Sequence, residues 1–146
     1  MIGQHQYCTF FLGDLFLGVE VQKVQEVLRY REITAVPLAA PVIRGLINLR
    51  GQIVPALDLR RRLEMPPRAA DRQPMNVVVR THDGVLSLLV DEIGEVQEVG
   101  EEAFEAAPAT VRGLTRELVR GVFKLKNRLL LLLDLEKTVN LPGPAR

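Results

Sequence analysis

The stretch Gly45–Leu63, GLINLRGQIVPALDLRRRL, decides the fold. Two apolar, β-rich runs flank the pair Arg50-Gly51. A two-residue link with glycine second predicts a tight hairpin, because glycine accepts the positive φ of such a reversal. Pro55 removes one ladder donor from the second run and predicts an edge strand or a bulge. Asp58 stands at the N-cap position of a short helix, LRRRLE.

The unit recurs as Gly121–Val139, GVFKLKNRLLLLLDLEKTV. Gly45/Gly121, Leu49/Leu125, Leu57/Leu133, Asp58/Asp134 and Leu59/Leu135 match at one spacing, 121 − 45 = 76. Lys126-Asn127 replaces the Arg-Gly pair, and asparagine is the next-best residue for positive φ. An earlier block, DLFLGVEVQKVQEV (Asp14–Val27), matches DGVLSLLVDEIGEV (Asp83–Val96) at 83 − 14 = 69. Two matched blocks in the same order predict two similar lobes in tandem.

Tyr7–Leu12 reads as a strand broken by Gly13-Asp14. From Leu15 to Val21 apolar residues fall on alternate positions, a strand with one buried face. A phase shift predicts a bulge or a new strand near Lys23. Residues 31–44 read as an ordered loop or a broken strand, and Met65–Pro74 as an exposed loop or an inter-lobe linker. Asn76–Arg80, Val85–Val90 and Val96–Gly100 are further strands, with His82-Asp83-Gly84 as a turn. Glu101–Thr110 is a loop or one helical turn. The five leucines Leu129–Leu133 suit a strand buried on both faces or a buried helical piece; alignment with IVPAL favours the strand. The end, Leu141–Arg146, reads as frayed. The fold class is therefore mostly β, with two small barrels and short helices.

Composition narrows function by exclusion. The chain has 146 residues and a net charge of +1, which gives no general attraction to nucleic acid or an anionic membrane. Its one cysteine, Cys8, makes an internal disulfide impossible, and no run is long enough to span a bilayer. A reducing cytoplasm fits best. His5 and His82 fall in a chain start and a turn, and Ser87 lacks a nucleophile-elbow motif. Cys8 has no neighbouring cation to activate it. No Cys/His spacing suits zinc, and no glycine-rich loop cradles phosphate. Asp91-Glu92 point to opposite sides of a strand. Arg60-Arg61-Arg62 spread around a helical turn as a solvated face. The expectation is a non-enzyme without cofactor or metal. Val24, Glu26 and Val27 past the bulge, with Gly45 and Arg50 on the hairpin, offer both charges beside apolar residues. That is what a groove for an amphipathic helix requires.

FFLGDLFLGVEVQKVQEVLRY, ITAVPLAAPVIRGLINLRGQIVPALDL, LLVDEIGEVQEV and LLLLLDLEKTV together resemble the CheW family of bacterial chemotaxis adaptors, over about Tyr7–Leu141. The resemblance implies one CheW-like domain, residues 1–146, of two five-stranded SH3-like barrels. Lobe one is expected at 14–80, and lobe two at 81–146 with the N-terminal strand 7–12. It implies a cytoplasmic, non-enzymatic adaptor on the inner face of the membrane. Such an adaptor couples methyl-accepting chemotaxis receptors to the regulatory domain of the histidine kinase CheA, and further CheW copies join in rings. Neither nucleic-acid binding nor membrane insertion is implied. Matched by motif, receptor contacts fall on Val24, Glu26, Gly45, Arg50 and Val77. Kinase contacts fall on Tyr30, Thr34 and Ile53 in the first lobe, and Thr110 and Val111 in the second. Pro108-Ala109-Thr110-Val111 departs from the family pattern, which often has an aromatic residue there. The alternative circuit is a CheW-like adaptor serving pili, cyclic dinucleotides or development.

Overall fold

Alternation along the strands sorts the apolar side chains of the described residues into three clusters. The computed structural model describes residues 4–37 and 39–141; Pro142–Arg146, most of the expected frayed end, lie outside them. A five-stranded sheet has the order β3-β6-β7-β5-β4, formed by β3 (Val24–Leu28), β4 (Ile43–Leu49), β5 (Gln52–Asp58), β6 (Met75–Thr81) and β7 (Gly84–Val90). A seven-stranded sheet contains β1 (Gln4–Leu12), β2 (Leu15–Glu20), β8 (Glu92–Ile93), β9 (Gln97–Gly100), β10 (Phe104–Glu105), β11 (Val119–Lys124) and β12 (Leu129–Leu133). Both sheets contribute to one shared core, including Phe10, Leu17, Leu57, Leu88 and Leu131. Ile47, Val54, Ala56, Val78 and Leu89 fill a cluster within the first sheet; Tyr7, Phe16, Phe123, Leu130 and Leu132 fill one within the second.

The leucine run shows the principle. Leu131 and Leu133 enter the shared core, while Leu130 and Leu132 enter the outer cluster. A strand with period two and no polar side is buried on both faces. The same division holds along β6, where Val77 and Val79 face the shared core and Val78 faces away.

The repeat is real at the level of hydrogen bonds. Asp58 N–H donates to the Val42 carbonyl at 2.7 Å, and Asp134 N–H to the Leu118 carbonyl at 2.7 Å. Both hairpins carry a register shift at the matched place, Ile43/Gly45 and Val119/Gly121. Both helices are capped by the matched aspartate. Asp58 accepts from Arg60 N at 3.1 Å at the head of α1 (Leu59–Arg62), and Asp134 accepts from Lys137 N at 3.0 Å at the head of α3 (Leu135–Val139). A further helix, α2 (Gly113–Leu118), precedes β11 and was not expected.

The sheets divide the chain differently from the expected lobes. β2 belongs to the sheet of the C-terminal hairpin, pairing in parallel with β12, and β7 belongs to the sheet of the first hairpin, pairing in parallel with β5. The cause lies in two tight turns. Gly13-Asp14 keeps β2 beside β1, and His82-Asp83 keeps β7 beside β6. Each sheet is thus completed by a hairpin from the other half of the repeat. No ladder joins β3 to β4, so the described strands do not close the first sheet into a barrel. It curls nonetheless, because Leu28 at the end of β3 packs in the same cluster as Ile47 of β4.

Three local expectations change. Pro55 is not on an edge strand; β5 runs between β7 and β4. The β7 ladder registers only Ala56–Asp58, so one side of β5 is open at Pro55 and has room for a missing donor. The second hairpin is not a two-residue turn at Lys126-Asn127. Lys124 pairs with Leu129, and Leu125 N–H closes the loop on the Arg128 carbonyl at 2.9 Å. A four-residue loop needs no positive φ at Asn127. The arginine run is not a solvated face. Arg61 donates to the Pro41 carbonyl at 2.8 Å, and Arg62 donates to the Thr138 and Lys137 carbonyls of α3 at 2.7 and 3.0 Å. Arg62 therefore ties the two repeated helices together and satisfies carbonyls that α3 leaves open.

Candidate functional site: the Glu26–Arg50 surface

Arg50 and Gly51 both take positive φ, 52° and 91°, which makes the first hairpin a type I′ reversal. Asn48 supports it by accepting Gly51 N–H at 2.8 Å. This turn throws the Arg50 side chain outward, 64% exposed. There it meets the Glu26 carboxylate of β3 as hydrogen bond and ion pair. β3 and β4 are the two ends of the five-stranded ladder, so only the curl of the sheet allows this contact. The Arg50 hydrogen bond holds the Glu26 carboxyl below the usual glutamate range, with a further contribution from the Arg31 charge.

Gly45 serves the same surface from beneath. Its φ of 154° and its register shift bring the chain at Thr34 directly over it. Thr34 and Leu46 exchange backbone hydrogen bonds of 2.9 and 2.8 Å. A Cβ at Gly45 would overlap the Thr34 carbonyl. Gly121 is crowded in the same manner by Glu105 and Phe104. The invading segment thus forms part of the repeated unit.

The outward face of β4 and β5 completes the surface. Leu46 stands opposite Pro55, and Asn48 opposite Ile53, while Ile47 and Val54 turn inward. Ile53 is 57% exposed, and Val27, Tyr30 and Val36 are also exposed large apolar residues. The arrangement is a charged pair at a hairpin tip beside an apolar strip. It has the chemistry of a docking surface.

The structure sorts the sequence-derived site residues clearly. Val24, Glu26, Gly45 and Arg50 lie on β3, β4 and the β4–β5 turn, and Glu26 and Arg50 touch. Val77 does not join them as a contact residue. It is 1% exposed and packs in the shared core, where it backs β3 through its pairing with Val27. Alternation explains the difference, since Val77 is on the inward side of β6. Tyr30, Thr34 and Ile53 are exposed on the five-stranded side. Thr110 and Val111 lie apart, on the seven-stranded side. They line a groove of about 330 Å³ with Phe11, Phe16 and Arg128. Arg128 stacks there over Phe16, 4.1 Å from the ring centroid. Sequence reasoning passed over Leu46, Asn48 and Pro55. Alternation would have found them, because Leu46 and Asn48 flank the inward Ile47 and Pro55 follows the inward Val54.

A family model described as the CheW-like domain matches residues 6–142. The chain belongs to that family. Chemotaxis protein CheW of Bacillus subtilis is 33% identical over 86% of this chain and 81% of its own length. Chemotaxis protein CheW of Klebsiella aerogenes is 31% identical over 95% of this chain and 83% of its own. The solved structure of the scaffolding protein TtCheW from Thermoanaerobacter tengcongensis superposes with a TM-score of 0.82 at 26% identity, covering 96% of this chain and 95% of that one. CheW-like domains belong to chemotaxis scaffolding, and the mostly β, two-sheet architecture matches theirs.

Proposed function

We propose that this CheW-like domain is a non-enzymatic adaptor that couples the cytoplasmic tips of chemoreceptors to the regulatory domain of the histidine kinase CheA. It works in the cytoplasm, at receptor arrays on the inner face of the membrane. Each curled sheet with its own cluster serves as one SH3-like lobe. The observation that carries this reading is the meeting of Glu26 and Arg50. VQEV and GLINLRG are separate motifs, and the fold joins their charged residues across the ends of one sheet. A receptor helix laid along this surface would find apolar contact from Val27 of β3 and a guanidinium at the rim. The kinase domain would dock through Tyr30, Thr34 and Ile53, or through the Thr110–Val111 groove. Interfaces at or below ~800 Å² per partner are weak singly and gain strength through repetition in an array.

Co-sedimentation with receptor fragments and CheA tests the assignment. Arg50→Glu should abolish receptor capture while the far-ultraviolet circular dichroism stays that of the parent. Undiminished capture would remove Arg50 from the site.

A further inference from the structure

We propose that the cavity lined by Arg60, Arg68, Ala69, Arg72 and Asp91 binds a small, doubly charged oxyanion of the phosphate class. It lies where the loop from α1 to β6 crosses the end of β7, away from the surface assigned to docking. Three guanidinium groups face it and one carboxylate. That carboxylate is already fully engaged. Asp91 Oδ1 accepts from Arg60 Nε at 2.9 Å and from Arg68 Nε at 2.8 Å. Its Oδ2 accepts from Arg60 Nη2 at 2.6 Å and from Gly13 N–H at 2.7 Å. Arg60 Nη1 is also taken, by the Pro66 carbonyl at 2.7 Å.

Arg68 is left incomplete. Its side chain is only 8% exposed, and its Nη2 is buried without a hydrogen-bond partner among the described residues. A buried cationic donor with no acceptor is costly, and natural structures rarely tolerate one unless something fills the gap. With three positive groups against one negative, the lining carries a formal +2. An acceptor of opposite charge is the occupant that fits. The volume, about 170 Å³, is well below the ~300–1,000 Å³ of pockets for drug-sized ligands. That size selects a free oxyanion over a nucleotide. Arginine forks suit tetrahedral oxyanions because their N–H groups diverge in one plane. A modest repositioning of the Arg68 fork would let the anion bridge Arg68 and Arg72 and clamp the loop against Asp91.

The test is thermal unfolding of the full chain at pH 7.5 with rising inorganic phosphate, sodium chloride holding ionic strength constant. A saturable rise in Tm of about 4 °C is expected when phosphate reaches tenfold its Kd. Both Arg72→Ala and the volume-conserving Arg68→Met should lose it. Arg72 is exposed, so Arg72→Ala keeps the test valid if Arg68→Met misfolds. Phosphorus-31 line broadening of the inorganic phosphate should appear with the parent chain and vanish with Arg72→Ala. An equal rise in the variants would mark general salting-out and overturn the site. No rise at all would mean that water completes Arg68, which also overturns it.

Discussion

Two clusters of charge occupy opposite roles in this chain. Around Asp91, the carboxylate, Arg60 and Arg68 are 13%, 15% and 8% exposed and share four short hydrogen bonds with Gly13. At the hairpin tip, Arg50 is 64% exposed and holds Glu26 alone. The first cluster pins three segments: the β1–β2 turn, α1 and the 65–74 loop. The second pins almost nothing. Charges withdrawn from water must be matched or the fold suffers, whereas charges left in water cost little to rearrange. Stability and recognition are thereby separated in space. A surface that can change its partners without threatening the core suits a scaffold.

Asp91→Ala should break the comparison most severely, because two nearly buried guanidinium groups lose their acceptor. A loss of about 3 kcal/mol is expected in urea unfolding, near 10 °C in Tm. The cluster would be no pin at all if the midpoint stayed put. Gly45→Ala comes next, at about 3 kcal/mol or slightly less, since its new Cβ meets backbone and its φ is unfavourable for any L side chain. That substitution would show that backbone packing, not the ion pair above it, orders the proposed docking surface. Proteolysis of the 31–42 segment should accelerate in parallel.

Acid separates the clusters differently. Burial alone would raise the Asp91 carboxyl, but the Arg60, Gly13 and Arg68 hydrogen bonds prevail and bring it from 3.8 to about 2. A depressed carboxyl stabilises the fold fully above its unfolded value and ceases to do so as pH falls through the folded one. About 2 kcal/mol should therefore disappear between pH 5 and pH 2. Asp91→Asn should flatten that portion of the stability curve. An unchanged slope would mean that Asp91 titrates normally.

How much of this was legible beforehand follows from the range of each interaction. The Arg50-Gly51 turn, the Asp58 and Asp134 caps and the strands of the repeat depend on residues close in sequence, so period and turn chemistry reveal them. The meeting of Glu26 with Arg50 was readable only as two motifs, because the curl that joins them depends on how Leu28 and Ile47 pack together. The arginine run misled for the same reason. Its partners, Asp91 and Thr138, are 31 and 76 residues away. The exchange of hairpins between the two sheets was also hidden, since parallel pairing of β2 with β12 leaves no local mark. Val77 shows the limit of motif matching: a position picked out by its motif can carry a side chain that faces the core.

The smallest expected effect on stability is the most informative about function. Arg50→Ala should leave the melting midpoint unchanged within error, yet abolish receptor capture. Two explanations would remain: Arg50 touches the receptor, or it only braces Glu26. Exchanging the charges in the double variant Glu26→Arg, Arg50→Glu separates them. A brace is symmetric in sign, so the exchange would restore capture. A contact is not, because the guanidinium would then stand on β3 and a carboxylate on the hairpin tip. Most of the Arg50 side chain is free of Glu26 and open to a partner, so the exchange should fail to restore capture in co-sedimentation while the double variant melts with the parent. Full recovery would reassign Arg50 as a positioning residue and move the receptor contact to the apolar residues of β3, Val24 and Val27.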